Sequence, residues 1–276
     1  MRVVTLNLWG ARPPLELRLA AIAAALRELV PDVVLLQEVR AADDLPNTAA
    51  TLAGLVGEAY AHVFAPGTRG PAGTFGPGSS AGEEGVAILS RHPIAASQSV
   101  VLPEARADET RVLLSALIDA PVGRVWAHTT HLHWRLGDGV ARERQVLAVD
   151  AAVRAIAADD PAPLQVIGGD FNAAPDCDEI RFMTGRHTLD GRRTYWQDAF
   201  HVACPEERGW TWAKRNPMTE NLAWLERDRR IDYLFVRPER RDSSGHVVEA
   251  RVVLDAPGVD GTWASDHFGV MADVWL

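Results

Sequence analysis

Residues 3–39 read VVTLNLWGARPPLELRLAAIAAALRELVPDVVLLQEV, and this stretch decides the fold class. Its two ends, Val3–Trp9 and Asp32–Val39, are rich in Val and Leu, as is typical of strands. Between them, apolar residues recur at intervals of three and four positions, and Pro31 ends the helix that this spacing predicts. The stretch therefore predicts a strand–helix–strand unit, the building block of α/β proteins.

Further strand patterns continue along the rest of the chain. They are Val86–Ser90, Val112–Ile118, Val125–Leu132, Leu164–Gly168, Ile231–Val236, Val247–Leu254 and Phe268–Trp275. A second helix pattern, from Val146 to Ile156, precedes the strand that begins at Leu164. Two such units among many strands predict a mixed α/β core rather than a pure β-sandwich. No hydrophilic linker divides the sequence, so we expect a single domain over residues 1–276.

The composition excludes several classes of protein. Of the 276 residues, 47% are hydrophobic, 24% are charged and 2 are Cys, as in globular proteins rather than disordered or disulfide-rich ones. No apolar run approaches the roughly 20 residues of a membrane span, and no signal-peptide pattern is visible. We therefore expect a cytoplasmic protein without a membrane span. The net charge of −9 argues against a protein that wraps nucleic acid with its whole surface.

One segment, Pro66–Gly82, has a strongly biased composition. It contains six Gly and three Pro in seventeen residues. Such a segment has too few apolar side chains to bury, so we expect a mobile loop. The loop leads directly into Glu83 and Glu84.

Polar residues stand at the ends of apolar strands at five places, and two of these lie in the opening unit. Asn7 lies within the first strand, and Glu38 closes the second. A buried amide needs hydrogen-bond partners. A carboxylate in such a position forms a salt bridge or binds a hard cation such as Mg²⁺. Taken singly, each residue is explained as well by structure as by function.

The third place is Gly168-Gly169-Asp170-Phe171-Asn172, after an apolar strand. The glycines allow a tight turn and the close approach of a ligand. Asp170 and Asn172 are two residues apart, so they would face the same side of an extended chain. A carboxylate and an amide placed in this way suit an attacking water and a phosphoryl oxygen.

The last two places are Asp232, at the entry of one strand, and Asp266-His267, at the entry of the final strand. A carboxylate bonded to one imidazole nitrogen fixes the tautomer and raises the basicity of the other nitrogen. Asp232 could serve His267 in this way. Separately, either motif is more often structural than catalytic.

Together, the five places resemble, in the same order, the motifs of the endonuclease/exonuclease/phosphatase superfamily of metal-dependent phosphoester hydrolases. The resemblance runs from Asn7 to His267 and so covers nearly the whole chain. It implies an α/β (α+β) fold, a four-layer sandwich of two packed mixed β-sheets flanked by helices. The site would lie at one edge of the sheets.

The resemblance also implies a role for each motif. Glu38 would be the principal ligand of Mg²⁺ or Mn²⁺, with Asn7 and Asp266 completing the shell. Asp170 would orient or deprotonate the nucleophilic water, and Asn172 would hold a phosphoryl oxygen.

Two histidines complete the implied site. His267, oriented by Asp232, would act as general base or bind the phosphate, and the choice of proton acceptor between it and the carboxylate of the third motif stays open. His131 would stabilise the phosphate or protonate the leaving oxygen. Its carboxylate partner would be Glu84, with the adjacent Glu83 as the alternative.

Other residues bear on the substrate and the metal. Trp9 stands where apurinic-site endonucleases carry an additional acidic ligand, which makes repair-type nuclease activity less expected. We expect Trp9 at the substrate together with Arg111, which begins a strand and could reach a phosphate. The alternative for Arg111 is an ordinary surface ion pair. His128, His131 and His133 also fit a zinc site, although the further Asp-His of such sites is lacking.

The sequence therefore predicts a metal-dependent phosphodiesterase acting on a small or lipid-type phosphoester by in-line attack of activated water. The alternative is a Mg²⁺- or Mn²⁺-dependent endo- or exonuclease on DNA or RNA. A non-catalytic binding relative is disfavoured because Glu38, Asp170 and His267 are all present. No obligate protein partner is evident.

Overall fold

Two β-sheets of six strands each pack face to face in the computed structural model, which describes residues 1–57, 60–121, 123–162, 164–219 and 227–275. The strands, numbered along the chain, are β1 Arg2–Asn7, β2 Val33–Ala42, β3 Ala61–Gly70, β4 Gly82–Ser90, β5 Ile94–Val101, β6 Val112–Ala120, β7 Gly123–His131, β8 Leu164–Asp170, β9 Gln197–Asp198, β10 Asp232–Val236, β11 Val247–Val253 and β12 Gly269–Val274. The helices are α1 Leu15–Leu29, α2 Thr48–Val56, α3 Gly139–Asp159, α4 Asp178–Met183 and α5 Ala199–Ala203, with a 3₁₀ turn at Pro217–Thr219.

Each sheet is built around one parallel pair of strands. The first sheet has the order β11-β12-β1-β2-β4-β3, with β1 parallel to β2. The second has the order β5-β6-β7-β8-β10-β9, with β7 parallel to β8. The other neighbouring strands are antiparallel. Helix α1 connects the first parallel pair and α3 the second, so both predicted strand–helix–strand units are confirmed.

The alternation of apolar side chains explains the four layers. Leu35 and Val166 point into the space between the sheets, where they are fully buried. The next residue of each strand, Leu36 or Ile167, points the other way and packs with the helices outside its sheet. Two sheets therefore share a central core, and each has a second core beneath its helices. The predicted four-layer α/β sandwich is confirmed.

The helices follow the periodicity of the sequence. Helix α1 buries Leu19, Ile22 and Leu26, and it ends at Val30, which adopts a left-handed φ of 49° before Pro31. Helix α3 is longer than its apolar core and begins at Gly139. Within the described ranges, no helix is both long and apolar enough to cross a membrane.

The loop expected over Pro66–Gly82 is shorter than predicted. Pro66 to Gly70 belong to β3, and Gly82 begins β4, so only residues 71–81 connect the two strands. Strand β3 lies at the edge of the first sheet, where the missing N–H of Pro66 does not interrupt a central ladder. Its pairing with β4 contains a bulge between Pro66 and Thr68. The bulge and the edge position accommodate residues that would disrupt an inner strand.

Candidate active site

One edge of the sandwich collects the polar residues of all five motifs. Strands β1 and β8 end here with Asn7 and Asp170. Strands β10 and β12 run antiparallel to them, so Asp232 and the residues before β12, including His267, lie at the same edge. Glu38 of β2 joins them through a hydrogen bond to Asn7. The topology thus brings together residues that are up to 260 positions apart in the sequence (7 to 267).

Asp170 lies at the centre of this group and is 1% exposed. Its Oδ1 accepts the backbone N–H of Asn172 at 2.9 Å, and its Oδ2 accepts the side-chain amide of Asn7 at 3.0 Å. The Nε2 atoms of His131 and His267 lie 3.4 and 3.7 Å from the same Oδ2. Donors from four segments therefore converge on one carboxylate.

His267 and Asp232 form a buried hydrogen-bonded pair. His267 Nδ1 lies 2.9 Å from Asp232 Oδ2, whereas the buried Oδ1 of Asp232 has no hydrogen-bond partner in the described structure. Burial alone would lower the pKa of His267, but the carboxylates of Asp232, Asp170 and Asp266 together raise it well above its ordinary value. Burial, followed by the charge of Asp232, raises the pKa of Asp170 to about 6. The group thus holds an imidazolium beside a carboxylate that titrates near neutral pH.

A β-bulge in β2 turns Glu38 towards the site. The pairing of β2 with β4 shifts between Leu36 and Val39, and Glu38 has a left-handed φ of 52°. Asn7 Nδ2 donates to Glu38 Oε1 at 3.1 Å, while Asn7 Oδ1 accepts the backbone N–H of Trp9 at 2.9 Å. The amide nitrogen rather than the oxygen of Asn7 therefore faces the carboxylates. Ligation of a cation by Asn7 requires its amide to turn.

His131 and Asn172 form the other wall of the site. His131 ends β7 and is buried, and burial lowers its pKa well below the ordinary value, with the cationic Arg111 and His267 lowering it further. A neutral imidazole can donate from one nitrogen and accept at the other. Asn172 has a left-handed φ of 51°, and its amide donates to the carbonyl of Leu132 at 3.1 Å.

Glu84 lies beside Glu38, and it lines the cleft together with His131. A methyl group built on Gly10 would be 3.3 Å from Glu84 Oε2 and 3.8 Å from Glu38 Oε2. Burial, followed by the charge of Glu38, raises the pKa of Glu84 to about 8. No hydrogen bond among the described residues joins Glu84 to His131, so the partnership that the resemblance implies is not formed in this structure. Glu83, the alternative, forms an ion pair with an arginine of β3.

The crowded carboxylates fit a divalent cation between Glu38 and Asp266. Burial raises the pKa of Asp266 to about 7, and the charge of Glu38 adds to the rise. A bound cation would relieve this repulsion, and Mg²⁺ prefers such oxygen ligands. Asp170, Asp232 and His267 also place one ligand atom each within 4.8 Å of one another. Asp232 and His267 are already bonded to each other, so a cation held by this group would displace that contact.

The two glycines of the third motif have a different role from the one expected. Gly168 and Gly169 lie inside β8, and they approach protein atoms rather than a ligand. A Cβ on Gly169 would be 2.0 Å from the carbonyl oxygen of Thr130, and one on Gly168 would be 2.5 Å from Leu35 Cδ1. The glycines therefore let β8 pack closely against β7 and the facing sheet.

A cleft of about 720 Å³ opens over the site. Aromatic rings and guanidinium groups line it, namely those of Trp9, Phe75, Trp134, Trp212, Arg12, Arg111, Arg135 and Arg229. Leu136 lines the cleft as well, and Trp134 and Leu136 have 51% and 55% of their surface exposed. Both residues expected at the substrate, Trp9 and Arg111, thus face the cleft. The sequence analysis did not anticipate Phe75, which lies in the connection between β3 and β4.

A partly buried network holds Arg111 in place. Glu109 accepts from Arg111 Nε at 2.9 Å and also contacts His133 Nδ1. His133 Nε2 lies 2.9 Å from a carboxylate oxygen of Asp138. His128 bonds instead to a serine of β6. The three histidines therefore have separate partners, and the zinc alternative finds no support in their arrangement.

Arg18 lies beneath the site and holds two of its segments together. Its role was not predicted from the sequence. It is fully buried and donates to the carbonyls of Leu8, Arg12 and Ala264 at 2.6, 2.7 and 3.2 Å. It thus connects the loop after β1 to the segment before β12. A signal was available, because Arg18 lies four residues before Ile22 on the apolar face of α1.

Comparison with known proteins places the chain among proteins of one family. The model of the endonuclease/exonuclease/phosphatase family matches residues 4–267. No curated protein matches the chain. Among solved structures, the endonuclease/exonuclease/phosphatase from Beutenbergia cavernae is 26% identical with a TM-score of 0.72, and the match covers 100% of this chain and 71% of that one.

Two further structures share the fold at lower identity. Truncated TDP2 from Caenorhabditis elegans is 20% identical with a TM-score of 0.73, and the match covers 100% of this chain and 97% of that one. The catalytic domain of human Nocturnin is 18% identical with a TM-score of 0.72, with coverage of 100% and 93%. From the family match over nearly its whole length and the two-sheet sandwich, the chain belongs to the endonuclease/exonuclease/phosphatase family, whose members are divalent-metal-dependent phosphoester hydrolases.

Proposed function

We propose that the protein is a Mg²⁺- or Mn²⁺-dependent phosphodiesterase that acts on a small or lipid-type phosphoester. The observation that carries the proposal is the position of Asp170, whose Oδ2 lies within 3.7 Å of nitrogen atoms of Asn7, His131 and His267. Asp170, His131 and His267 line an open cleft. A phosphoryl group and a water entering the cleft would meet a proton acceptor and several donors at one point, as in-line hydrolysis requires.

The proposed roles follow from these contacts. Asp170 orients the attacking water, and either it or His267 accepts the proton. His267 can do so only as the neutral imidazole, so its imidazolium form must first lose a proton. Asp232 holds Nδ1 of His267, so that Nε2 faces Asp170. Asn172 contacts a non-bridging phosphoryl oxygen, and His131 stabilises the phosphate or protonates the leaving oxygen. We propose that one catalytic domain over residues 1–276 carries these groups.

Glu38 and Asp266 would hold the divalent cation, with Asn7 completing the shell once its amide oxygen turns from Trp9. Glu84 lies next to Glu38 and, once ionised, would add negative charge on the same side. When bound, the cation would stabilise the charge that develops on the phosphoryl group. Oxygen ligands suit both Mg²⁺ and Mn²⁺, so the proposal includes either ion.

The rim of the cleft supports a substrate with an apolar part. Trp134 and Leu136 are more than half exposed, and both line the cleft. Exposed apolar side chains beside a polar site are typical of a binding surface. The net charge of −9 also disfavours long-range attraction to a polyanion. The two free thiols, Cys177 and Cys204, agree with a reducing compartment such as the cytoplasm.

A nuclease is the second candidate, and the arginines of the cleft favour it. Arg12, Arg111 and Arg135 line the cleft together with aromatic rings. Guanidinium groups bind phosphates, and aromatic rings stack on unpaired bases. A short single-stranded DNA or RNA would place phosphates against the arginines and bases against the aromatic rings.

The deciding experiment compares three substrates under the same conditions. Supercoiled plasmid, bis(p-nitrophenyl) phosphate and vesicles containing sphingomyelin are each incubated with Mg²⁺ or Mn²⁺. We expect metal-dependent release of phosphate esters from the small or lipid substrate and no nicking of the plasmid. Plasmid nicking that exceeds the other two activities would replace the proposal with the nuclease alternative.

The control for this comparison is Asp170→Asn, which keeps the shape of the side chain but removes the carboxylate. Genuine activity should fall about 100- to 10,000-fold in this variant. Activity that survives equally in the variant would come from a contaminant or from another site, and the assignment of Asp170 would then be wrong.

A further inference from the structure

Arg111 is an arginine of the cleft that lies close to a candidate catalytic imidazole. It lines the cleft, and it also lines a small cavity of about 20 Å³ together with Glu84 and His131. Burial lowers the pKa of His131 and the charge of Arg111 lowers it further, so the two side chains lie near each other. With 13% of its side chain exposed, Arg111 is largely withdrawn from bulk water. A phosphoryl group at His131 would therefore meet a poorly screened positive charge.

One edge of the Arg111 guanidinium is bound to the protein, and another edge is left over. Nε and Nη2 both donate to Oε1 of Glu109, with Nε at 2.9 Å. Nη1 donates to no atom of the described residues, yet it is not sealed from solvent. One N–H of Nη1 and one N–H of Nη2 therefore remain side by side. Such a pair of donors matches two oxygens of a phosphate.

Glu109 is itself held by His133. Its second oxygen, Oε2, contacts Nδ1 of His133, while Nε2 of the same ring lies 2.9 Å from Oδ2 of Asp138. The His133 side chain is fully buried. Ionised carboxylates only accept hydrogen bonds, so an imidazole placed between two of them donates from both nitrogens as an imidazolium. The ring thus links the segment before β6 to the segment between β7 and α3.

Charges of opposite sign alternate along this row of side chains. Arg106 pairs with Asp138, Asp138 with His133, His133 with Glu109, and Glu109 with Arg111. Each carboxylate therefore lies between two cations. Rotation of the Glu109 carboxylate would break a contact on one side or the other. The plane of this carboxylate is fixed in this way, and with it the direction of the guanidinium that it binds.

We propose that Glu109 and His133 are positioning residues for the hydrolysis, and that they act by turning the free edge of Arg111 towards a phosphoryl oxygen. This proposal rests on the proposed function, since it takes a phosphoester as the ligand of Arg111. Glu109 occupies the Nε side of the guanidinium and leaves the end with Nη1 for the substrate. His133 keeps Glu109 in place and does not contact the substrate itself.

A double-mutant cycle on phosphate binding tests the proposal. Titration calorimetry with inorganic phosphate and Mg²⁺ is applied to the full chain as wild type, Glu109→Gln, Arg111→Gln and the double variant. Each single substitution should weaken phosphate binding about 10-fold or more, because the paired N–H groups are misdirected or removed. In the Arg111→Gln background, Glu109→Gln should change the affinity by less than about 2-fold, since Glu109 then has no guanidinium to orient.

His133 is tested in a second cycle of the same kind. His133→Leu cannot donate to Glu109 or to Asp138, so it should also weaken phosphate binding. This effect too should vanish in the Arg111→Gln background, because His133 acts on the phosphate only through Glu109 and Arg111.

The matched control is Asp32→Asn. Asp32 is a partly buried carboxylate that pairs with both Arg91 and His92, as Glu109 pairs with an arginine and a histidine. It lies just before β2, whereas Glu38 lies at the bulge of that strand. Asp32→Asn should lower the melting temperature and bind phosphate with wild-type affinity. Loss of an ion pair that serves stability alone would have the same result at Glu109.

Three results would overturn the proposal. These are the absence of phosphate binding by wild type, wild-type affinity in folded Glu109→Gln or His133→Leu, and additive losses of affinity in the double variants.

Kinetics with bis(p-nitrophenyl) phosphate separate this proposal from the proposed function. We expect Glu109→Gln to raise KM by about the factor by which it weakens phosphate binding. If wild type hydrolyses the diester and Glu109→Gln has the same KM, the positioning role is wrong and the proposed function stands. If wild type binds phosphate through Arg111 but hydrolyses no phosphodiester, the proposed function is wrong and the coupling of Glu109 to Arg111 stands.

Discussion

The neighbours of Asp170 bring the pKa of its carboxyl group close to neutral pH. It is buried at the end of β8, where burial would favour its neutral form. The N–H groups of Asn172 and Asn7 stabilise the ionised form, and so does the adjacent His267. The balance leaves the pKa at about 6, so the group is ionised but still basic at neutral pH. Such a value is close to the optimum for proton transfer under physiological conditions.

The Asp232–His267 pair gives a prediction for the pH–rate profile. Asp232→Asn removes a charge that raises the pKa of His267, so the pKa of His267 should fall. We expect turnover to decrease and the limb of the profile that His267 controls to move towards lower pH. The measurement is kcat/KM for a phosphodiester between pH 5 and 10.

The matched control is Asp198→Asn, which removes another buried carboxylate, one that pairs with Arg230 outside the cleft. Its pH–rate profile should coincide with that of wild type. If Asp232→Asn also leaves the profile in place, Asp232 does not act on the reaction through His267.

At this scale, the sequence predicted which residues meet but not how they are oriented. Asn7, Asp170 and His267 were recognisable because a polar side chain at the end of an apolar strand needs a reason to be there. The amide orientation of Asn7 and the position of Glu84 were not recognisable. The amide of Asn7 is oriented by the backbone of Trp9 in the turn after β1 and by the distant Glu38 and Asp170. The position of Glu84 is set relative to Glu38 on the neighbouring strand.

Helix α1 covers the first sheet and also holds two segments of the candidate active site. Its buried Arg18 holds the loop after β1 and the segment before β12 through their carbonyl groups. The guanidinium has lost much of its hydration, and burial lowers its pKa to about 10. The charge is retained at neutral pH, and Glu38 and Asp266 favour it. The helix therefore fixes the spacing of the segments that carry the proposed metal ligands.

We predict that Arg18→Ala lowers both stability and activity. The lost hydrogen bonds and the carbonyls left without partners should reduce the free energy of unfolding by about 3 kcal/mol or more. Urea denaturation measures this change. Arg27→Ala removes an exposed arginine of the same helix that bonds one carbonyl, and it should cost less than about 1 kcal/mol. Equal effects of the two substitutions would contradict the role of Arg18.

The strands and helix that could not be predicted from the sequence have apolar patterns that are weak or too short. Strands β3 and β5 are edge strands, and their residues are less buried than those of inner strands. Strand β3 contains Pro66, and β5 contains Ser97 and Gln98, so neither has the apolar pattern of a buried strand. Helix α2 has a visible Asn47 cap, but its nine residues are too few for a clear period.

The topology of the whole molecule brings residues that are far apart in the sequence to one place. Each sheet contributes one parallel pair, and Asn7, His131 and Asp170 stand at the ends of those strands. Glu38 joins them from the bulge in β2, and Asp232 and His267 join them from the starts of the antiparallel neighbours. The order of strands within the sheets could not be predicted from local patterns. It follows from the family resemblance, which depends on the order of five motifs and not on any one of them.

The collected carboxylates predict a pH-dependent effect of the metal on stability. The folded-state pKa values of Asp170, Asp266 and Glu84 are about 6, 7 and 8, above the unfolded values of about 4. The metal-free folded state therefore holds more protons than the unfolded state between about pH 4 and 8. By linkage, these groups lower the stability of the metal-free protein as the pH rises through this window.

Mg²⁺ should counteract this loss, because it binds the ionised carboxylates. We expect the increase in melting temperature on addition of Mg²⁺ to be larger at pH 8 than at pH 5. Glu38→Gln should abolish the increase, whereas Glu28→Gln, on the exposed face of α1, should not change it. An undiminished increase in Glu38→Gln would place the metal elsewhere.

Asp170 is proposed to serve a metal-dependent phosphoester hydrolysis, and a comparison of rates tests this role. The rate of bis(p-nitrophenyl) phosphate hydrolysis with Mn²⁺ is measured for wild type and for Asp170→Asn, each with and without EDTA. The two proteins are first shown to have equal melting temperatures. We predict turnover by wild type that EDTA abolishes, and a rate about 100- to 10,000-fold lower in the variant. Turnover that persists in EDTA, or a variant as fast as wild type, would contradict the account.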